Sequence, residues 1–415
     1  MGEGMRFRNK MAYDLIRGIP QMMGLRTQFV HLWVCDQTEK SNDTFEDYGL
    51  FTQVEQLNKT ALKAHGLDKN GHLYKVNSFD FYRCEETIKL ADDPDYNQAN
   101  FEGMLEIKGD SDHIKLIEML DALNDESQKI DDVLDTYFDT ENLVYWLAFQ
   151  ILTGNCDTQN RNCYLYSPLN SNTWYFLDWD NDGMLRKLEL SLKGFSDYAS
   201  WERGVSNYWG NVLFNRALRS KSFRSELDRA VKDLRSYLTE ARLSKMIKHY
   251  REVTESLVFA SPDIDNLPVT KDQYEQIATA IPSEIEENYK SYCESFKKPM
   301  PFYIGVPQID NGKLRLNWDA AYDFEARDIR YTVELARDYA ISDVLFKAED
   351  VLLPEVTCDA PDSGQYFVRV RATNSDGYTQ DAFDYYVTDD GKQYGMKCFY
   401  VQNGGKVVED TYEEG

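Results

Sequence analysis

Three textures of apolar and polar positions succeed one another along the chain. Up to about residue 110 they are mixed. Met11, Leu15 and Ile16 share one side of an amphipathic helix over Arg8 to Ile16, which Gly18 and Pro20 end. The run TQFVHLWV, Thr27 to Val34, is rich in β-formers and predicts a strand. YGLFTQV, Tyr48 to Val54, predicts a second beyond the polar loop Asp36 to Asp47. Asn58 to His65 reads as helix and His72 to Val76 as a short strand. Residues 111–298 turn helical. Asp112 is placed to cap a helix whose apolar side is Ile114, Ile117, Leu120 and Leu123. Thr140 is placed to cap another, carrying Leu143, Trp146, Leu147 and Ile151 up to Gly154. A strand–turn–strand piece follows at Cys163 to Tyr166 and Trp174 to Leu177. Helices then cover Val212 to Leu218, Phe223 to Leu238, Leu243 to Phe259 and Lys271 to Phe296, the last interrupted at Pro282. From residue 300 to about 388 the period falls to two. Leu314, Leu316 and Trp318 alternate, as do Tyr331, Val333 and Leu335, and Tyr366, Val368, Val370 and Ala372. With turns at Pro301, Pro307 and Asn311-Gly312, this predicts a small β-sandwich. Residues 389–415 read as an acidic tail with one strand-like run, Lys397 to Gln402.

A length of 415 residues exceeds one ordinary domain, in line with these changes of texture. Charge narrows the partners. There are 71 acidic residues against 46 basic ones, a net charge of −25. Such a chain repels phosphate backbones and anionic lipid, so no nucleic acid and no membrane surface is expected as a partner, whereas cations are. No run approaches ~18 apolar residues, so no membrane insertion is expected, and no secretory signal is visible in Met1 to Lys10. The seven cysteines form no C-x-x-C and the five histidines no H-x-x-x-H, which argues against a cysteine- or histidine-based metal centre.

The chemistry-bearing segment is Gly154 to Gly183, GNCDTQNRNCYLYSPLNSNTWYFLDWDNDG. Asp157 follows an apolar helix, Asn162 comes five residues later, and Asp178, Asp180 and Asp182 follow the next β-like run. Phosphoryl transfer needs one carboxylate to orient the nucleophile. It also needs an amide oxygen and a second carboxylate to hold a divalent ion against nucleotide phosphates. A loop Asp-x4-Asn, a hairpin and a further Asp supply those groups in that order. The same residue types also populate turns for backbone reasons, so spacing alone leaves both readings open. A third reading overlaps them. Asp178 to Glu189, DWDNDGMLRKLE, satisfies D-x-[DN]-x-[DN]-G-x5-E, a calcium-loop pattern, although a β-like run precedes it where a helix is required.

From about Arg8 to Phe296 the chain resembles the CotH kinase family, named for a spore-coat protein H and built on an atypical protein-kinase-like fold. The stretches that carry the resemblance are RNKMAYDLIR (8–17), FVHLWV and YGLFTQVEQLNKTALK (within 29–63) and HLYK (72–75). The most specific are LVYWLAFQILTGNCDTQNRNCYLY and WYFLDWDND. The resemblance implies an α+β fold over residues 1–298, with an N-terminal lobe over about 1–110 and a helical lobe over about 111–298. It implies ATP with Mg²⁺ or Mn²⁺ (Ca²⁺ under the loop reading), and transfer of phosphate to Ser/Thr hydroxyls of a protein substrate. Asp157 then corresponds to the catalytic-loop aspartate. Asn162 and Asp180 correspond to the metal-binding pair, with Asp182 assisting. Val54-Glu55-Gln56 corresponds to the hinge that borders the adenine.

This sequence departs from the family pattern in two places. The family has a Gly/Ser-rich turn and a lysine-bearing strand ahead of its RNK helix. Here only MGEGMRF precedes it, so the N-terminal lobe reads as incomplete. Lys75 reads as a solvated surface lysine. The position before Trp179, proline in the family, is Asp178.

Residues 300–388 resemble a fibronectin type III module, with Trp318 as core tryptophan and Tyr366 placed for a tyrosine corner. Such a module beside a kinase-like domain implies an extracellular or bacterial cell-surface protein. The rival expectation is a structural or adhesion protein whose kinase-like fold is vestigial. Asn42-Asp-Thr44 and Asn58-Lys-Thr60 match glycosylation acceptors, and chance accounts for both.

Overall fold

The computed structural model describes residues 3–38, 44–194, 199–388 and 391–410. They fall into two compact units. One comprises the described residues up to 194 together with 211–290; the other comprises 199–210 together with 291–410.

The first unit is α+β. Helix α1 (Arg8–Ile16) buries Met11, Tyr13, Leu15 and Ile16. Strands β1 (Thr27–Val34) and β2 (Glu46–Val54) form an antiparallel hairpin that sets Thr27 opposite Val54. Helix α2 (Lys59–Ala64) begins at Asn58, whose side chain accepts the Thr60 and Ala61 N–H groups at 2.9 and 3.1 Å. That asparagine is therefore a helix cap. The Asn42 acceptor lies outside the described residues. Next come β3 (His72–Val76), α3 (Gln98–Met104), β4 (Leu105–Ile107), α4 (Ile114–Asn124), α5 (Ile130–Tyr137) and α6 (Thr140–Thr153). Strands β5 (Cys163–Ser167) and β6 (Tyr175–Asp178) precede the helices α7 (Lys187–Leu192), α8 (Val212–Arg219), α9 (Lys221–Tyr237), α10 (Glu240–Val258) and α11 (Lys271–Ser295). One antiparallel sheet, in the order β4-β3-β5-β6, holds the middle of the unit.

Several local expectations shift for identifiable reasons. In α4 the buried stripe is Leu116, Met119, Leu120 and Leu123, a complete i, i+3, i+4, i+7 set, and Ile114 is exposed. Asp139, not Thr140, caps α6, accepting the Asn142 N–H at 2.9 Å. That helix packs against both α9 and β6 and is buried nearly all round. Helix α11 runs unbroken through Pro282, because Ile277, Ile281 and Ile285 are buried along its length. Packing of that stripe outweighs the one backbone bond proline forfeits.

The second unit is all-β beyond α11. One antiparallel sheet runs β10 (Val344–Val351), β9 (Ile329–Ala336), β12 (Gly364–Asn374), β16 (Met396–Val401), β17 (Val407–Glu409), with β13 (Thr379–Asp381) on β12. A second runs β11 (Glu355–Asp359), β8 (Lys313–Asn317), β7 (Gln308–Asp310), and β14 (Tyr385–Thr388) pairs with β15 (Gly391–Tyr394). The alternating residues fill its core: Leu314, Leu316, Trp318, Tyr331, Val333, Leu335, Tyr366, Val368, Val370 and Ala372 are all buried there. Tyr366 Oη donates to the Asp362 carbonyl at 2.8 Å, the backward bond expected of a tyrosine corner. The stretch read as a tail contributes β15, β16 and β17. Tyr366 faces Phe399 across β12 and β16, and Phe399 and Val401 join the core.

Candidate functional site

Helix α6 ends at Gly154 in the left-handed conformation (φ +64°), where a side chain would be strained. The chain then enters a 3₁₀ turn, Cys156–Thr158, that carries Asp157. Asn162 immediately precedes β5, and β6 ends at Asp178, so the sheet pairing of Cys163 with Asp178 places the two loops side by side. Asn162 and Asp180 both have left-handed backbones, φ +59° and +56°, which Asn and Asp tolerate better than other non-glycine residues.

Within this pair of loops Asn162 Nδ2 donates to Asp157 Oδ2 at 3.0 Å, and Arg161 Nε lies 3.6 Å from Asp157 Oδ1. The Asp157 side chain is 58% exposed, open to an incoming group. Its pKa is raised, first by desolvation and then by the charge of Asp182, against Arg161 and Asn162. Asp180 is half-buried. Its N–H donates to Tyr13 Oη at 3.1 Å, and Asn9 Nδ2 reaches its Oδ1 at 3.4 Å. Burial raises its pKa, and the charges of Asp182 and Asp157 raise it further, against Lys75. Asp157, Asp180 and Asp182 thus crowd one another electrostatically, with Asn162 among them. Of the residues expected at a metal–phosphate site, Asn162 is joined to Asp157 by a hydrogen bond, and the carboxylates of Asp157, Asp180 and Asp182 act on one another through their charges.

Behind them lies a support that spacing did not reveal. Asn155 Nδ2 donates to Gln150 Oε1 at 3.1 Å, and Gln150 Nε2 donates to Asp178 Oδ1 at 2.6 Å. Asn181 Nδ2 donates to Asp178 Oδ2. This buried network ties both loops to α6. Burial pushes the Asp178 carboxyl up to about 7, against hydrogen bonds from Asn181, Gln150 and Trp146. The available signal was Gln150, a polar residue inside the apolar run Leu143 to Leu152 of α6. Gly183 is fitted closely here: a Cβ on it would stand 2.6 Å from Asn155 Oδ1.

The calcium-loop reading fails on Glu189, its twelfth position. That side chain is fully buried and ion-paired with Arg8, with Lys193 Nζ at 2.6 Å and with Arg186 at 3.4 Å. Burial alone would raise its pKa, but these cations, Arg8 foremost, hold it at about 2. A carboxylate caged by three cations has no oxygen to offer Ca²⁺. Glu55 of the expected hinge is likewise engaged. It accepts from Arg26 Nε at 3.0 Å and meets His65 Nε2 at 2.8 Å, and these partners, Arg26 first, lower its pKa to about 2. Val54, Glu55 and Gln56 border a cavity of about 530 Å³ with Arg26, Thr27, Gln28 and Gln53.

Among the described residues no group of three His, Cys, Asp or Glu side chains is arranged to hold a metal ion by protein ligands alone. Mg²⁺ does not require one, since it takes one or two carboxylates plus waters and phosphate oxygens. The all-oxygen donors of Asp180, Asp182 and Asn162 suit such an ion, and Asp157 and Asp180, raised first by burial and then by neighbouring carboxylates, have negative charge for it to offset. Among the described residues no helix is long and apolar enough to cross a membrane.

No curated protein matches the chain. Among solved structures, the twitchin kinase region from C. elegans (Fn31-NL-kin-CRD-Ig26) is similar at 19% identity, over 23% of this chain and 20% of that one, with a TM-score of 0.18. The chain thus spans about a fifth of that neighbour's length, too slight a likeness to carry an argument. The family model described as CotH kinase protein matches residues 1–292. That match takes in the helix, the sheet and both aspartate loops, and the chain belongs to the CotH kinase family.

Proposed function

We propose that the first unit is a phosphotransferase that moves the terminal phosphate of ATP to Ser/Thr hydroxyls of a protein. The observation that supports this reading is the Asn162–Asp157 hydrogen bond on a loop set beside the one that carries Asp180 and Asp182, together with family membership. Asp157, exposed and with a raised pKa, orients the acceptor hydroxyl and takes its proton. Asn162 Nδ2 holds the Asp157 carboxylate in place, which leaves its carbonyl oxygen to act with Asp180 and Asp182 as ligands. A divalent ion bound there supplies charge neutralisation for the phosphates. The Gln150–Asn155–Asp178–Asn181 network keeps the two loops in register, so that the acceptor and the phosphate meet in line. The cavity beside Val54-Glu55-Gln56 is the proposed place of the nucleotide base.

The test is transfer of label from γ-labelled ATP with Mg²⁺ or Mn²⁺ to a mixed protein acceptor. Wild type should label it and Asp157→Ala should lose at least about 100-fold, the usual scale for a positioned general base. No labelling by wild type under either metal, or equal labelling by Asp157→Ala, refutes the reading and favours a scaffold with a vestigial kinase-like fold.

A further inference from the structure

The site described so far is rich in carboxylates, and a nucleotide's phosphates need cations. The positive groups around it are mostly committed. Arg8 is paired with Glu189 and Glu3, Arg186 lies against Glu189, and Lys10 is 2.5 Å from Asp14. Arg161 faces Asp157 at 3.6 Å. Lys75 differs. It is half-buried on β3, and among the described residues no carboxylate oxygen lies within 4 Å of its ammonium. Its cross-strand neighbour on β4, Glu106, pairs instead with Lys108. In a chain of net charge −25, Lys75 is a half-buried lysine whose cross-strand carboxylate, Glu106, is engaged by another lysine.

The sheet register says where this lysine points. Lys75 of β3 lies opposite Tyr164 of β5, and Tyr164 opposite Leu177 of β6. Directly opposed residues of antiparallel strands share a face, so these three form one row. Tyr164 and Leu177 are buried in one cluster with Tyr13, and Trp179 packs edge-on against Tyr164 with ring centroids 5.5 Å apart. Tyr13 accepts the Asp180 N–H. The row therefore runs from Lys75, over Tyr164, to the Trp179-Asp180 turn. The positive charge of Lys75 is felt at Asp180.

We propose that Lys75 is a phosphate-binding cation of the nucleotide site, its ammonium donating to a non-bridging phosphate oxygen beside the ion held at Asp180. This rests on the phosphotransferase reading above and adds a phosphate contact to it. It replaces the reading of Lys75 as a solvated surface lysine. Lys75 shares a face with Tyr164 and its charge acts on Asp180, so a phosphate bound beside Asp180 would become its counter-charge.

The experiment uses the full chain with three probes, Mg·ATP, Mg·ADP and adenosine, titrated calorimetrically into wild type, Lys75→Met, Lys75→Gln and Lys75→Arg. Loss of one charge-assisted phosphate contact predicts affinity for Mg·ATP and Mg·ADP falling about 10- to 100-fold in Lys75→Met and Lys75→Gln. Adenosine affinity stays at the wild-type value, and Lys75→Arg retains Mg·ATP binding within about threefold. Far-UV circular dichroism confirms that the variants are folded, and the two neutral variants check each other. Wild-type Mg·ATP affinity in both neutral variants overturns the inference, as does equal loss of adenosine and Mg·ATP, which marks a packing role. If wild type itself binds no Mg·ATP, the inference and the phosphotransferase reading fall together. If wild type binds and transfers phosphate while Lys75→Met does both equally well, only the lysine assignment falls.

Discussion

Replacing Glu189 by Gln is the sharpest probe of how the first unit is held together. Glu189 sits on α7 and is fully buried, while Arg8, 181 residues away on α1, is fully buried against it. The native pairing holds the Glu189 pKa at about 2, against an ordinary 4.5. A carboxylate whose pKa is lowered by folding contributes stability above its unfolded pKa and loses it as pH falls toward the folded one. The interval from 4.5 to about 2, at about 1.4 kcal/mol per pH unit, gives about 3 kcal/mol at pH 7. The independent figure for stranding one member of a buried ion pair is of the same size, about 3–5 kcal/mol, because Arg8 would be left with only the partly buried Glu3. Urea unfolding of the first unit at pH 7 should therefore show Glu189→Gln less stable by about 3 kcal/mol. At pH 3.5, where part of the wild-type advantage has been titrated away, the gap should narrow to about 2 kcal/mol. A loss below about 1 kcal/mol at pH 7, or a gap that does not change with pH, refutes the caged-carboxylate account. Calcium titration adds a second readout: the variant and wild type should respond alike, since no oxygen of Glu189 is available to the ion.

Two further outcomes follow from the network behind the loops. Gly183→Ala should cost about 1–3 kcal/mol and lower phosphotransfer at least tenfold. Its Cβ would press on Asn155 Oδ1, 2.6 Å away, and Asn155 precedes the turn carrying Asp157; transfer within twofold of wild type would show that the loop absorbs the methyl. Asp178, pushed up to about 7 from 3.8, is stabilising in its neutral form, so its contribution is whole below pH 3.8 and is lost as pH rises through 7. Between pH 5 and 7.5 wild type should lose about 2 kcal/mol that Asp178→Asn does not, read from urea unfolding at the two values; identical slopes would place the titration elsewhere.

Much of the fold was legible because it is local. The amphipathic side of α1 and the β-formers of β1 and β3 come from neighbours within a turn or a strand, and the bounds expected for these elements are those observed. The alternation of Leu314, Leu316 and Trp318 marks the sandwich core for the same reason. What escaped notice depends on partners distant in sequence. Strand β16 looked like part of a tail because its apolar residues become meaningful only when Phe399 pairs with Tyr366. The DWDNDGMLRKLE segment satisfies a metal-loop pattern in one dimension, and the pattern says nothing of Arg8, which claims its glutamate.

The site divides in the same way. Residue type and order left Asp157, Asn162, Asp180 and Asp182 open between phosphate chemistry and turn chemistry, and the resemblance to the family stretches assigned their expected roles. The Asn162–Asp157 hydrogen bond, the left-handed turns at Asn162 and Asp180, the buried support from Gln150, Asn155, Asp178 and Asn181, and the place of Lys75 on the same row as Tyr164 were decided only by tertiary structure. Local pattern encodes which face of an element is apolar. Electrostatics and hydrogen bonding between loops act through space over a few ångströms, between residues that the chain itself keeps far apart.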